Sequence, residues 1–432
     1  MEITYKERSG TDRRVSLPAT PLWRLRLRGL AGEIGWPPLC RDLIELATSV
    51  WIADRMVRRP RQGPRRIALS IPVRRPDRWR EVAPELARVL SLLTQDDFDF
   101  TFRRATGGLA AVTYPPSASS NREITRVALF SGGLDSACAA ASFAAAGLET
   151  AFVSQYTNGF ERLRTLLAGI QSTYGGTTAP HHAAFYTSPV TTVARQLRER
   201  SQRSRSFLFL SLALATAAAV GAGEVLVCEN GPLAVNLPLS LAMVPTRHAH
   251  SSFLLGMERL AQGLFPSPIK IFNPFELATK GEMATVFAPH PELALETVSC
   301  WNQQWASRRS SSGTRHCGWC LPCLVRRASL ARAAIAVPPR HFAVDIRRLA
   351  EHHTASAEEM ALLGPYRSLR GFAAEVAACA SWRAFVRRFP DVVDSEPTAG
   401  RQHADRWFPD LFSLMKRFAA EVESALAPGS QP

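Results

Sequence analysis

Residues 127–136 read Val-Ala-Leu-Phe-Ser-Gly-Gly-Leu-Asp-Ser, and small residues follow as far as Ala146, before Gly147. Four apolar residues entering two adjacent glycines, then a stretch of good helix formers, predict a buried strand, a tight turn and a helix N-terminus. Paired glycines let the backbone bend and let a ligand come close. The first amides of the helix have no intrahelical acceptor. With the positive end of the helix dipole they make an anion site that the hydroxyls of Ser131 and Ser136 complete. Asp135 in the same turn does not suit a bare anion. It suits a phosphate that arrives with a divalent cation such as Mg²⁺, for which a carboxylate is a hard ligand. Ser131, Gly132, Gly133, Leu134, Asp135 and Ser136 are therefore expected to cradle a nucleotide phosphate.

Around this unit the chain alternates. Strands are predicted over 126–130, 150–153, 182–186 and 224–228, with helices over 136–146, 160–173, 190–200 and 207–220. Such alternation predicts a parallel sheet with helices on both faces and a ligand crevice beyond the carboxyl ends of the strands. The ends at Ser131, at Gln155-Tyr156 and at Glu229-Asn230-Gly231 should converge there. The apolar run 207–220 is shorter than the ~20 residues of a membrane span and carries Ser211 and Thr216, so it reads as a buried helix. Residues 1–8 are polar and mixed in charge, unlike a signal peptide. A soluble, cytoplasmic protein with no membrane partner is expected.

At 432 residues the chain exceeds one typical domain. Residues 1–120 read as an α+β accessory domain, with helices over 38–57 and 77–93 and strands over 67–73 and 98–102. Residues 106–122 read as a turn-rich linker. Residues 121–335 carry the alternating unit, and residues 336–432 read as helical, over 344–350, 366–380, 382–389 and 408–426.

The eight cysteines divide into two sets. Cys40, Cys138, Cys228 and Cys379 stand alone in apolar surroundings, as buried small hydrophobes do. Cys300, Cys317, Cys320 and Cys323 form Cys-x16-Cys-x2-Cys-x2-Cys. Four thiolates so spaced can close a tetrahedral, structural metal site. Spacing fits Zn²⁺ and an iron–sulfur cluster alike; the non-redox chemistry expected at the loop favours zinc. His316 is expected to be an exposed neighbour. Net charge is +15, with arginine clusters over 58–66, 74–80, 195–205 and 308–315. That balance fits phosphate-rich partners or an arginine-biased composition. Aromatic residues are not interleaved with these clusters as in a single-strand binding platform.

The loop lacks the lysine of the Gly-x-x-x-x-Gly-Lys-Ser/Thr motif and is not Gly-x-Gly-x-x-Gly. Ser-Gly-Gly-Leu-Asp-Ser after a strand resembles the loop of the ATP pyrophosphatase (PP-loop) family, with its adenine-nucleotide α-hydrolase-like fold. Members of that family cleave ATP between the α and β phosphates. Together with Thr297-Val-Ser-Cys-Trp301 and Cys317-Gly-Trp-Cys-Leu-Pro-Cys-Leu-Val-Arg326, the loop resembles the 7-cyano-7-deazaguanine synthase (QueC) family, over roughly residues 124–335. The resemblance implies a carbon–nitrogen ligase. ATP activates a 7-deazaguanine carboxylate as an acyl-adenylate, ammonia gives the amide, and a second ATP-dependent dehydration gives the nitrile. It also implies catalytic roles for Asp135, Arg205 and Lys280 and an acidic strand end at Glu229. Arg205 and Lys280 suit neutralisation of charge as pyrophosphate leaves.

The sequence departs from that family in three places. Arg203-Ser204 replaces Pro-Gly before Arg205, residues 233–238 lack Tyr-Pro-Asp, and residues 155–158 lack Gln-Arg-His. Long relatives of this shape resemble proteins of anti-phage defence operons, such as the Qat system and type IV CBASS. There the resemblance implies operon-encoded protein partners and transfer to a protein amine. Two other readings are a tRNA-modifying PP-loop enzyme, whose thiolase form would need Cys228 to be reactive, and a non-catalytic nucleotide-binding scaffold.

Overall fold

The computed structural model describes residues 1–6, 12–17, 22–60, 62–105, 123–155, 160–176, 180–239, 246–309, 315–351 and 356–427. The expected linker 106–122 and Tyr156 lie outside the described residues. Ten strands are described: β1 (Glu2–Lys6), β2 (Asp12–Ser16), β3 (Trp23–Gly29), β4 (Arg66–Val73), β5 (Asp97–Arg104), β6 (Arg126–Leu129), β7 (Thr150–Gln155), β8 (His181–Pro189), β9 (Glu224–Leu226) and β10 (Lys270–Phe272). They form a four-stranded sheet, β2-β1-β4-β5, and a six-stranded sheet, β10-β9-β6-β7-β8-β3.

The larger sheet is parallel from β10 to β8. From β6 the chain steps one way to β7 and β8, then returns to β9 on the other side of β6. Neighbours β6 and β9 thus send their following loops in opposite directions, which opens a crevice at their carboxyl ends. Both faces of this sheet are buried, and the strands show why. Val127, Ala151, Val153 and Val225 pack on one side with the helix Arg205–Val220. Ala128, Phe130, Phe152 and Leu226, each one residue along, pack on the other with the helices Leu134–Ala145 and Phe160–Tyr174. Successive side chains point to opposite faces of a strand, so a near-continuous apolar run is what a doubly covered strand requires. The protein is a mixed α/β fold with a parallel sheet. No helix among the described residues is long and apolar enough to cross a membrane.

The N-terminal segment is built into this core. β3 pairs antiparallel with β8, from Trp23 opposite Pro189 to Gly29 opposite Ala183. The helix Pro38–Met56 shares an apolar cluster with the helix Arg205–Val220. The basic stretches, read as fitting either phosphate-rich partners or an arginine-biased composition, are partly paired inside this region. Arg65 is buried between Asp54 and Asp96, Arg59 joins Asp96 at 2.8 Å, and Arg74 reaches Asp42 and Glu45 at 3.0 and 2.9 Å. Removing one partner of such a pair costs about 3–5 kcal/mol, because the other charge stays buried.

Two local expectations are corrected. Helix does not run over 190–200 but stops at Ala194, because the amides of Arg198 and Glu199 both turn to the carbonyl of Arg55 at 2.8 Å. Cys379 is half-buried, not buried, with its thiol on the carbonyl of Glu375. The C-terminal helices Ala357–Ala378, Trp382–Arg388 and Trp407–Leu426 pack around Leu321, Leu324 and Val325, which belong to the helix Leu321–Arg332 that follows Cys320.

Candidate functional site

The loop after β6 is held by its own serines. Gly133 N–H donates to Ser131 Oγ at 3.2 Å, Ser131 N–H donates to Ser136 Oγ at 3.3 Å, and Ser136 Oγ–H donates to the Gly133 carbonyl at 3.1 Å. Gly132 has φ +71°, and a Cβ there would lie 2.2 Å from Leu163 Cδ2, so only glycine lets the loop lie against the next helix. The amides of Asp135 and Ser136 have no acceptor among the described residues, and the Ser131 side is exposed. The helix Leu134–Ala145 thus presents free donors at its positive end.

Asp135, in the first turn of that helix, meets residues from the two strand ends beyond β6. Lys280 Nζ lies 2.7 Å from Asp135 Oδ2. Lys280 opens a five-residue helix capped by Thr279 and Glu282 in a reciprocal capping box. A cation at a helix N-terminus opposes the dipole; its place is explained by the carboxylate it faces. Asn230, the cap of the short helix after β9, accepts from Leu233 N–H with its oxygen. Its nitrogen is thereby aimed at two carboxylates, Asp135 Oδ1 at 3.2 Å and Glu229 Oε1 at 2.6 Å. Glu229 Oε2 in turn takes His248 Nε2 at 2.8 Å, and His248 Nδ1 meets Thr246 Oγ1 at 2.9 Å.

Two carboxylates, a lysine and a histidine therefore share one crevice with Asn230 between them. Burial raises Asp135 to about 6, against the pull of Lys280. Burial also acts upward on Glu229, but the hydrogen bond and charge of His248 hold it below its ordinary value. Burial alone would lower His248 and Lys280; the carboxylates reverse this and raise both. Lys280, and His248 when protonated, offset the two carboxylates. Lys280 is the closed end, with 4% of its side chain exposed, and His248 the open end, with 39%.

Arg205 stands apart from this cluster. It begins the helix Arg205–Val220, donates to Gln155 Oε1 at the end of β7 at 3.3 Å, and lies over Phe209 at 4.9 Å. Burial lowers its pKa. Ser204, just before it, donates to Asp54 Oδ2 at 2.8 Å, so the N-terminal segment fixes the start of this helix. The structure brings Asp135, Glu229 and Lys280 together and sets Arg205 beside the end of β7.

The sequence pattern did not announce His248, Arg162 or Ser299. His248 lies in no periodic segment. Arg162, whose Nη2 would be 3.7 Å from a Cβ on Gly132, donates to the Glu296 carbonyl at 3.0 Å and places a cation beside the loop. Ser299 accepts from Leu134 N–H at 3.3 Å; its signal was the motif Thr-x-Ser-Cys-Trp, in which the cysteine drew the attention.

The second centre is closed. The sulfurs of Cys300, Cys317, Cys320 and Cys323 all lie within 4.8 Å of one another, and all four residues are buried. Backbone N–H groups of Asn302 and Cys317 donate to Cys300 Sγ at 3.2 and 3.3 Å, and Cys320 N–H to Cys317 Sγ at 3.4 Å. Hydrogen bonds within the cluster push Cys300 below and Cys323 above the usual thiol range. A divalent cation removes that conflict, since all four sulfurs can then be thiolates. Gly318, at φ +91°, makes the turn, where a Cβ would strike the Val344 carbonyl at 2.1 Å. The set fits zinc, and four protein ligands make it structural. His316 is not the exposed neighbour expected. It is 2% exposed and stacked on His341 at 4.5 Å, because the chain turns inward to seat Cys317.

Cys228 is buried with its thiol raised by that burial, so it offers no reactive thiolate to a thiolase. No family model, curated protein or solved structure matches the chain.

Proposed function

We propose that the chain is a PP-loop, ATP-dependent carbon–nitrogen ligase that activates a 7-deazaguanine carboxylate as an acyl-adenylate and passes it to ammonia or a protein amine. The proposal includes a role among protein partners in anti-phage defence, which rests on the sequence resemblance. The observation that carries the chemistry is the Asp135–Lys280 pair at the switch point of the sheet, facing free helix amides. The amides of Asp135 and Ser136, with the Ser131 hydroxyl, receive phosphate oxygens. Lys280 and Arg162 oppose the charge that grows as pyrophosphate departs, and Arg205 approaches from the end of β7. Mg²⁺, held by Asp135, would supply further charge neutralisation at the phosphates. The Glu229–His248 pair at the open end, with the imidazole neutral, offers the acceptor for the proton that an incoming amine must lose. Cys300, Cys317, Cys320 and Cys323 would hold zinc, which would supply folding energy and take no part in the reaction.

The test is direct. ATP, Mg²⁺ and 7-carboxy-7-deazaguanine with the full chain should yield AMP and pyrophosphate. Asp135→Asn should cut that yield by at least about 100-fold while a cooperative melt persists, at a lower temperature because Lys280 stays buried without its carboxylate. Binding of ATP with no AMP formed, in the presence of any partner, would turn the reading to a nucleotide-binding scaffold.

A further inference from the structure

We propose that residues 297–300 form a strap through which the four-cysteine site and the glycine loop are energetically coupled, with Ser299 as the positioning residue. This rests on the reading of the loop as a nucleotide site. The helix Leu321–Arg332 carries Cys323 in its first turn and Arg326 one turn further on. Arg326 is fully buried, and no carboxylate pairs with it among the described residues. Its guanidinium spends its donors on Thr297 Oγ1 at 2.7 Å, the Ala294 carbonyl at 2.8 Å and His341 Nε2 at 3.1 Å. An unpaired buried cation is costly to desolvate, so these bonds fix residues 294–297 to the metal-bearing helix.

From Thr297 the chain passes along the loop. Val298 N–H donates to the Gly132 carbonyl at 2.9 Å, and Ser299 Oγ accepts the first helix amide, Leu134 N–H, at 3.3 Å. A Cβ on Gly133 would meet the Val298 carbonyl at 3.7 Å and Ser299 Oγ at 3.8 Å, so strap and loop are in contact along their length. Cys300 follows at once, as a metal ligand. The strap is anchored by Arg326 at one end and by the metal at the other. Between the anchors it grips both sides of the glycine turn. Losing the metal frees the Cys300 end and releases the grip. A nucleotide that requires the gripped loop must then, by linkage, hold the metal more tightly.

The measurement is the equilibrium extent to which a zinc-selective chromogenic chelator withdraws zinc from the loaded full chain, with and without saturating Mg²⁺–ATP. ATP should raise the chain's zinc affinity by about fivefold or more, the lower end of typical coupling between sites. Ser299→Ala should keep four-thiolate zinc stoichiometry and lose most of that protection, and Ser299→Thr should restore it. A purely structural role for Ser299 would change withdrawal equally with and without ATP. Equal zinc affinities in the unsubstituted chain, while equilibrium dialysis shows ATP bound, overturn the coupling. Absence of ATP binding to the loaded chain overturns the nucleotide reading and the coupling with it.

Discussion

The crevice and the cysteine centre each gather four ionisable side chains, and they balance charge in opposite ways. Asp135, Glu229, Lys280 and, when protonated, His248 sum to neutrality, two of each sign, and the cluster runs from a closed end at Lys280 to an open one at His248. Four buried sulfurs within 4.8 Å of one another include no cation among themselves. A self-neutralised cluster with an open end can exchange its internal partners for those of a ligand. A closed cluster that lacks a cation can only be completed. The first arrangement suits turnover and the second suits permanence.

The largest expected effect breaks the second arrangement. Structural zinc contributes on the order of 10 kcal/mol to small metal-folded units, comparable to the whole stability of a domain. Cys320→Ala should therefore lose the metal by elemental mass spectrometry and the cooperative melt with it. Retention of both would remove the four-thiolate site. Next comes Lys280→Met in the crevice, which leaves Asp135 buried without its cation. That should cost about 3–5 kcal/mol in urea unfolding at pH 8. Adding Asp135→Asn should recover most of the loss, since the stranded charge is then gone. If the double variant is no more stable than the single one, the pair is not the organising contact of the crevice. A third prediction uses the proton on Asp135. Because burial raises it to about 6, kcat/KM for AMP formation should fall as pH drops through about 6. A flat profile down to pH 5 would show that this carboxylate need not be ionised.

The difference between the two centres also explains what could be read from the sequence. The metal ligands are close in the chain, and their spacing is itself the geometry. The strand–glycine–helix unit is local too: a helix expected over 136–146 lies at Leu134–Ala145, and the apolar run before it is β6. Around the crevice, by contrast, each side chain comes from a different strand end. Asp135, Glu229 and Lys280 were named from motif positions, but nothing local marked His248, which reaches Glu229 only because the chain folds back after β9. β3 is a similar case. Its Trp-Arg-Leu-Arg-Leu-Arg alternation is strand-like, yet only the free edge of β8 decides that it leaves the N-terminal sheet for the larger one. The helix Ser251–Leu264 lay unmarked between two segments read for chemistry. The arginine clusters could not be assigned from the sequence, because counter-ions such as Asp54 and Asp96 lie far from some of them in the chain.

The smallest predicted effect comes from a carboxylate that neither arrangement compensates. Glu421, on the C-terminal helix Trp407–Leu426, accepts from Thr279 Oγ1 at 2.5 Å, the same Thr279 that caps the helix of Lys280. Its nearest cation, Arg332, is 4.0 Å away and half-exposed, against 2.7 Å from Lys280 to Asp135. Burial, with the charge of Glu282 adding to it, raises Glu421 from 4.5 to about 7, although Thr279 and Arg332 pull the other way. The sign follows. Between 4.5 and 7 the folded chain keeps a proton that the unfolded chain has released, so stability declines as pH rises across that window. Glu421→Gln is neutral throughout and keeps an oxygen for Thr279. It should be more stable than the parent by roughly 1 kcal/mol or more at pH 8, with the advantage vanishing near pH 4.5. Equal urea midpoints at pH 8 would mean that Arg332 closes on Glu421 in solution, and that this buried carboxylate is compensated after all.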